Sequence, residues 1–219
     1  NQFISSSPDE SGYDNLVKPD LSEDWKFKCF SEKTNVPLYI DNTRNAKRFK
    51  VLPHRYLSDF KYSIFIDGNM YVVGDMNELI ETYLSDCNIA LFDHGKNVLD
   101  SRNCVYDEYN AIITLGNKNK NFKDNPDIMY KQVKRYEDDG YPPKNGLGTT
   151  MVLVRRHNEK DCIKLMENWW TEIKYNSKRD QLSFNYVAWK HKVKFNYIEG
   201  DSRDNQYFKR STKPHLAKR

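Results

Sequence analysis

The chain has 219 residues, 38% of them hydrophobic and 14% aromatic, with 35 basic side chains against 31 acidic ones and a net charge of +4. That length suits one domain with its own core, and fifteen tyrosines and four tryptophans exclude a disordered chain. Basic residues cluster most clearly at Lys47-Arg48-Phe49-Lys50 and in the tail from Lys209 to Arg219, which disfavours nucleic acid as a partner and fits either solvated faces with a loose C-terminus or attraction for a phosphate-bearing small molecule.

In chain order, residues 3–6 read as a short strand that runs into a loop rich in Ser, Pro, Asp and Gly as far as Tyr13. Trp25 to Phe30 alternates as a strand, and Pro37 to Ile40 reads as another. Asn42 to Leu52 has helical character and stops at Pro53. Tyr62 to Ile66 is a strand of high β propensity. Asp75 to Leu84 is a helix with Met76, Leu79, Ile80 and Tyr83 on one face. Asn88 to Phe92 is a strand. Ser101 to Leu115 is a helix, Asn117 to Asn125 a polar loop, and Asp127 to Asp138 a helix ended by Gly140. Thr149 to Arg155 is a strong strand and Glu159 to Tyr175 an amphipathic helix. Gln181 to Trp189 reads as a short helix, Lys194 to Ile198 as a last strand, and residues 200–219 as a polar arm on the surface.

This alternation predicts an α/β protein, a single domain over residues 1–219 with a mostly parallel central sheet flanked by helices. Neither GxGxxG nor GxxxxGK[ST] is present, which argues against a typical dinucleotide-binding enzyme or a P-loop NTPase. GxSxG is absent too, which disfavours an α/β-hydrolase. The four cysteines, Cys29, Cys87, Cys104 and Cys162, show neither CxxC spacing nor a zinc-like cluster with histidine, and fit free thiols in a reducing compartment. No apolar run reaches the ~18 residues of a membrane span, and no signal peptide is visible. A cytoplasmic protein is therefore expected.

The segment richest in chemistry is Tyr62 to Asn69, a strand that delivers Asp67, Gly68 and Asn69 to a sheet edge, where open α/β folds bind ligands. Hard oxygens there suit Mg²⁺ or Mn²⁺ carrying a diphosphate, with Asp67 and Asn69 as ligands. Gly68 lets the backbone turn or a ligand approach. The same tripeptide is also an ordinary turn. His94 follows the next strand beside Asp93 and fits acceptor or sugar binding, or a hydrogen-bonded loop histidine. Arg102 and Glu108 either fix sugar hydroxyls or form an ion pair. Asp180 opens a helix as a cap, or acts chemically.

Seven segments together resemble a known family: Gly12-Tyr13-Asp14, Cys29-Phe30-Ser31, Arg48 to His54, Tyr62 to Asn69, His94, Arg102 to Glu108, and Arg179 to Phe184. This is a GT-A-type glycosyltransferase-like family, formerly a domain of unknown function, with plant mucilage and turgor proteins, bacterial surface-polysaccharide proteins and virus-encoded relatives. The resemblance covers residues 12–215, and its most specific pieces are RxKxxPH, IDGN and RDQxSF.

It implies a metal-dependent glycosyltransferase that moves a hexosyl or pentosyl group from a UDP- or GDP-linked donor to a glycan hydroxyl. Asp67 then matches the first carboxylate of an Asp-x-Asp-like motif, with Asn69 in place of the second. His215 completes the Mn²⁺ or Mg²⁺ site. Arg48, Lys50, Asp67 and Gly68 bind the donor, and His94, Arg102 and Gln181 the acceptor or sugar. Asp180 is the implied catalytic base. Arg48 and Lys50, two apart on a helix, point about 200° from each other, so one of them faces the donor. Two departures stand out: Phe3 to Ser11 lacks the family's strand and glycine turn, and Thr149 and Thr150 replace an expected carboxylate. These departures and Asn69 also fit a non-catalytic carbohydrate- or nucleotide-binding module.

Overall fold

A computed structural model describes residues 2–6, 19–30, 39 and 41–211. The strands of the central sheet are β1 (Gln2–Ser6), β2 (Trp25–Cys29), β3 (Tyr62–Ile66), β5 (Ile89–Asp93), β6 (Gly148–Arg155) and β7 (Asn196–Ile198), in the order β2-β1-β3-β6-β5-β7. Two further strands, β4 (Met70–Val72) and β8 (Phe208–Arg210), form a separate antiparallel pair. The helices are α1 (Asn42–Val51), α2 (Met76–Tyr83), α3 (Val105–Asn119), α4 (Pro126–Asp138), α5 (Lys160–Tyr175) and α6 (Phe184–His191). The protein is thus a mixed α/β domain with a central sheet flanked by helices.

The sheet is mostly parallel, as expected. β2, β1 and β3 pair in parallel, as do β5 and β7. The exception is β6, which runs antiparallel between β3 and β5. Its first residues, Gly148 to Thr150, therefore lie at the edge where β3 and β5 end. That edge carries the site.

The two-residue period of the strands sends alternate side chains to opposite faces, and both faces are buried. Phe65, Ile89, Leu91 and Leu153 pack with Leu165, Met166, Trp169 and Phe184 of α5 and α6. Ile64, Ile66, Ala90, Phe92, Val152 and Val154 pack on the other side with Met76, Leu79 and Ile80 of α2. This double burial explains why β3, β5 and β6 read as nearly continuous apolar runs.

Several boundaries differ from the sequence reading. α3 starts at Val105 rather than Ser101 and runs on to Asn119, so the polar loop expected from Asn117 is shorter. The helix expected over Gln181 to Trp189 divides into a 3-10 turn, Asp180–Leu182, and α6. The strand expected over 37–40 falls outside the described residues except for Tyr39. The arm after Gly200 does more than coat the surface: Tyr207 and Phe208 are buried, and β8 pairs with β4. Cys87, Cys104 and Cys162 are buried free thiols, and Cys29 is a half-buried one.

Candidate active site

At the edge where β3 and β5 end lies a cleft of about 330 Å³ lined almost entirely by polar and charged side chains. Its floor is the start of β6, with Thr149, Thr150 and Met151.

α1 supplies the first cations. The helix is capped by Asp41, whose carboxylate accepts from Thr43 N at 2.9 Å. It is tied to the end of α5 through Arg44, which donates to the carbonyls of Ile173 and Asn176. Lys47 and Lys50, one turn apart on the same face, both reach the cleft. Lys47 Nζ donates to Lys178 O at 2.6 Å and to Asp180 Oδ1 at 2.8 Å. Lys50 Nζ lies 2.7 Å from Asp180 Oδ2 and 3.8 Å from Asp67 Oδ1.

Asp180 is held from several directions. Thr150 Oγ1 donates to its carboxylate at 3.1 Å. The indole N–H of Trp169, deep in the core, donates to its carbonyl at 3.0 Å. Burial alone would raise the Asp180 pKa, but Lys47 and Lys50 outweigh it and hold the carboxyl well below the usual carboxylate range. Burial drives Lys47 the other way, down to about 8, against the pull of Asp180. Asp180 in this arrangement is an anion and a weak base. It can accept a proton only after its lysines move away.

β3 delivers Asp67, whose N–H donates to Met151 O at 2.9 Å and whose carbonyl accepts from Met70 N at 3.0 Å, closing the turn into β4. Its side chain is 37% exposed and faces the cleft. Asn69 Oδ1, two residues on, is buried without a hydrogen-bond partner. An orphaned amide oxygen is of the kind a hard divalent cation takes, but Asn69 is not among the described residues lining the cleft, so of the expected ligands Asp67 alone is seen there. No group of three or more His, Cys, Asp or Glu able to hold a metal occurs among the described residues. His215 lies outside them.

The far end of the cleft is gathered around His94, just past β5. The Arg102 backbone N–H points at His94 Nδ1 and the Arg102 guanidinium at His94 Nε2, each at 3.2 Å, so both ring nitrogens face donors from the same residue. Burial and the Arg102 charge push His94 below its ordinary pKa. Arg102 Nε donates to Glu108 Oε2 at 2.7 Å, and Arg203 grips both oxygens of Asp100 at 2.7 and 2.9 Å. Arg102 and Glu108 thus form the ion pair that was one of their two readings. Gln181 also lines this end, and its Nε2 is buried without a partner.

The structure therefore brings Lys50, Asp67, His94, Arg102, Asp180 and Gln181 to one cleft. Arg48 is not among them. It is buried with its guanidinium 4.5 Å from the Phe49 ring, as its position two residues from Lys50 requires. Gly68 is buried in the turn but does not line the cleft, and it is not among the described glycines with positive φ. Lys47 and Arg179, quoted in the basic cluster and in RDQxSF without a role in the site, also line the cleft, as do Lys123 and Arg203, which the sequence did not single out. For Lys47 the signal was available in its one-turn spacing from Lys50. The others come from loops and have no periodicity to reveal them.

Fold and cleft together define a glycosyltransferase-like α/β domain. The model of the TOD1/MUCI70, glycosyltransferase-like domain matches residues 25–212, and the chain belongs to this family. It is 27% identical over 176 residues to a protein of Arabidopsis thaliana described as probable hexosyltransferase MUCI70. That match covers 74% of this chain and 28% of the relative, so the chain spans about a quarter of the relative's length. Similar solved structures include a glycosyltransferase involved in the glycosylation of the major capsid of PBCV-1, with a TM-score of 0.48 at 12% identity, covering 98% of this chain and 96% of that one. Mouse xyloside xylosyltransferase 1 has a TM-score of 0.45 at 12% identity, covering 80% of this chain and 63% of that one.

Proposed function

We propose that this domain transfers a sugar, a hexose by analogy with the plant relative's description, from a UDP- or GDP-linked donor to a glycan hydroxyl. The observation that carries this reading is the meeting of Lys47, Lys50 and Asp67 in one cleft at the sheet edge. Breaking a sugar–phosphate bond leaves negative charge on the diphosphate, and preorganised cations there stabilise the transition state. Lys47 and Lys50 supply two such charges. Mn²⁺ or Mg²⁺ would be held by Asp67, with Asn69 and His215 as further oxygen and nitrogen donors. Once bound, it would add Lewis-acid stabilisation of the same leaving group.

His94, Arg102 and Gln181 would orient sugar hydroxyls. The unpartnered Gln181 Nε2 is a donor with a bond still to make. Asp180 serves as proton acceptor in this scheme once the donor diphosphate has drawn Lys47 and Lys50 toward itself. Its ion pairs in the present arrangement favour a second reading, a binding module without turnover.

Calorimetry with UDP and GDP, with and without Mn²⁺, tests the site. Metal-dependent binding of one nucleotide supports the transferase reading, and binding of neither overturns it. Hydrolysis or transfer of the matching nucleotide sugar then separates enzyme from binding module.

A further inference from the structure

Two groups of cations line the cleft, and the donor reading uses one of them. Lys47 and Lys50 stand with Asp67 at the end of β3. The second group, Arg102, Lys123, Arg179 and Arg203, comes from four separate loops and surrounds the end of β5. β6 lies between β3 and β5, which sets the two strand ends about 10 Å apart along the sheet edge.

The second group is not neutralised internally. Its four cations face two carboxylates, Asp100 and Glu108, and these are already taken by Arg203 and Arg102. Arg179 shares Glu108 with Arg102 through a longer ion pair of 3.7 Å, and its Nε is buried without a hydrogen-bond partner. Lys123 has no ion pair among the described residues, and the charge of Arg179, then burial, pulls its pKa below the ordinary lysine value. Beside them, Thr149 Oγ1 and Gln181 Nε2 are buried and unpartnered as well. Buried polar atoms ordinarily find partners, and a guanidinium has its preferred partner in a carboxylate or phosphate. A neutral sugar would satisfy the hydroxyl and amide but leave four cations facing two carboxylates at this end.

We propose that this end of the cleft is an anion site that takes a carboxylate or phosphate group carried by the acceptor sugar, with Arg179 and Lys123 as the cations that receive it. The assignment of that anion to the acceptor rests on the transferase reading above, which puts the donor diphosphate at Lys47 and Lys50.

Three ring-matched probes test the site in the full chain: glucose, glucuronate and glucose 6-phosphate, titrated in the presence of the nucleotide and Mn²⁺. At least one anionic sugar should bind about tenfold or more tightly than glucose, and whichever it is identifies carboxylate or phosphate as the group. Arg179→Gln and Lys123→Gln should each reduce that preference while leaving nucleotide affinity unchanged. Lys123 is exposed, so its variant does not depend on refolding a buried site.

Equal affinity for the three sugars overturns the proposal, as does a preference that survives both substitutions. Loss of nucleotide binding in these two variants would move the cations to the donor diphosphate and overturn it too. So would tighter binding of UDP-glucuronate than of UDP-glucose, which would place the anion on the donor sugar. An anionic-sugar preference in a protein that binds neither UDP nor GDP would remove the transferase reading and leave the anion site standing.

Discussion

The ammonium of Lys50 lies 2.7 Å from Asp180 Oδ2, and Lys47 holds the other oxygen of the same carboxylate at 2.8 Å. Helix α1 and the turn after α5, about 130 residues apart in sequence, are joined by this buried triad. One carboxylate between two ammonium groups leaves one positive charge over, and Asp67, 3.8 Å from Lys50, is the further carboxylate that faces it. Burying such a cluster is costly.

Asp180→Asn removes the charge that lets two lysines share a buried site. The expected loss of stability is about 3–5 kcal/mol, the usual consequence of stranding a buried charge. Denaturant unfolding measures it. Lys47→Met in the Asp180→Asn background should restore part of the loss, because it removes one of the stranded charges. A loss below about 1 kcal/mol would mean that the triad is solvated like a surface pair.

Nucleotide affinity should depend on pH through Lys47. Burial first, opposed by Asp180, sets its pKa at about 8. Below that value Lys47 carries a positive charge that attracts the diphosphate, and above it the charge is lost. Affinity for UDP or GDP should therefore fall as pH rises through about 8, by roughly tenfold for one charge-assisted contact. Lys47→Met should flatten the profile at the lower, high-pH affinity. A wild-type profile without a step near pH 8 would remove Lys47 from the donor site.

How much of this was legible beforehand depends on the kind of residue. Ile64, Phe65 and Ile66 sit in a strand buried on both faces, so their identity alone announced β3, and Asp67 at its end followed. Helical spacing showed that one of Arg48 and Lys50 faces the cleft but left open which, and tertiary structure places Lys50 there. Lys123 and Arg203 were not legible, and Arg179 was quoted in RDQxSF without a role. Each comes from a loop, where no period links a residue's number to its direction, and only tertiary structure brings them together. β4 and β8 are three residues each, too short for a pattern to stand out from polar surroundings.

Asp67→Ala should abolish metal-dependent nucleotide binding and leave the fold intact. The side chain is partly exposed, and the turn is held by the backbone N–H and carbonyl of residue 67, which alanine keeps. Surface substitutions of this kind shift stability by about 0.5 kcal/mol or less. Calorimetry with and without Mn²⁺ and a thermal melt together check both halves. Undiminished metal-dependent binding in the variant would remove Asp67 from the metal site.

Phe208→Ala tests whether the segment after Gly200 is structural. Phe208 is fully buried, its ring centroid 6.1 Å from that of Phe92 at the heart of the sheet, in an edge-on contact. β8 also pairs with β4, the strand that follows the Asp67 turn. Truncating a buried phenylalanine costs about 3–5 kcal/mol, measurable as a shift in the denaturant midpoint. Because Ser211 N donates to Asn69 O at 2.8 Å, loosening β8 should also disturb the turn that carries Asp67. Nucleotide affinity should then fall in Phe208→Ala even under conditions where the variant is fully folded. A large stability loss with unchanged affinity would show that the β4–β8 pair supports the core but not the cleft.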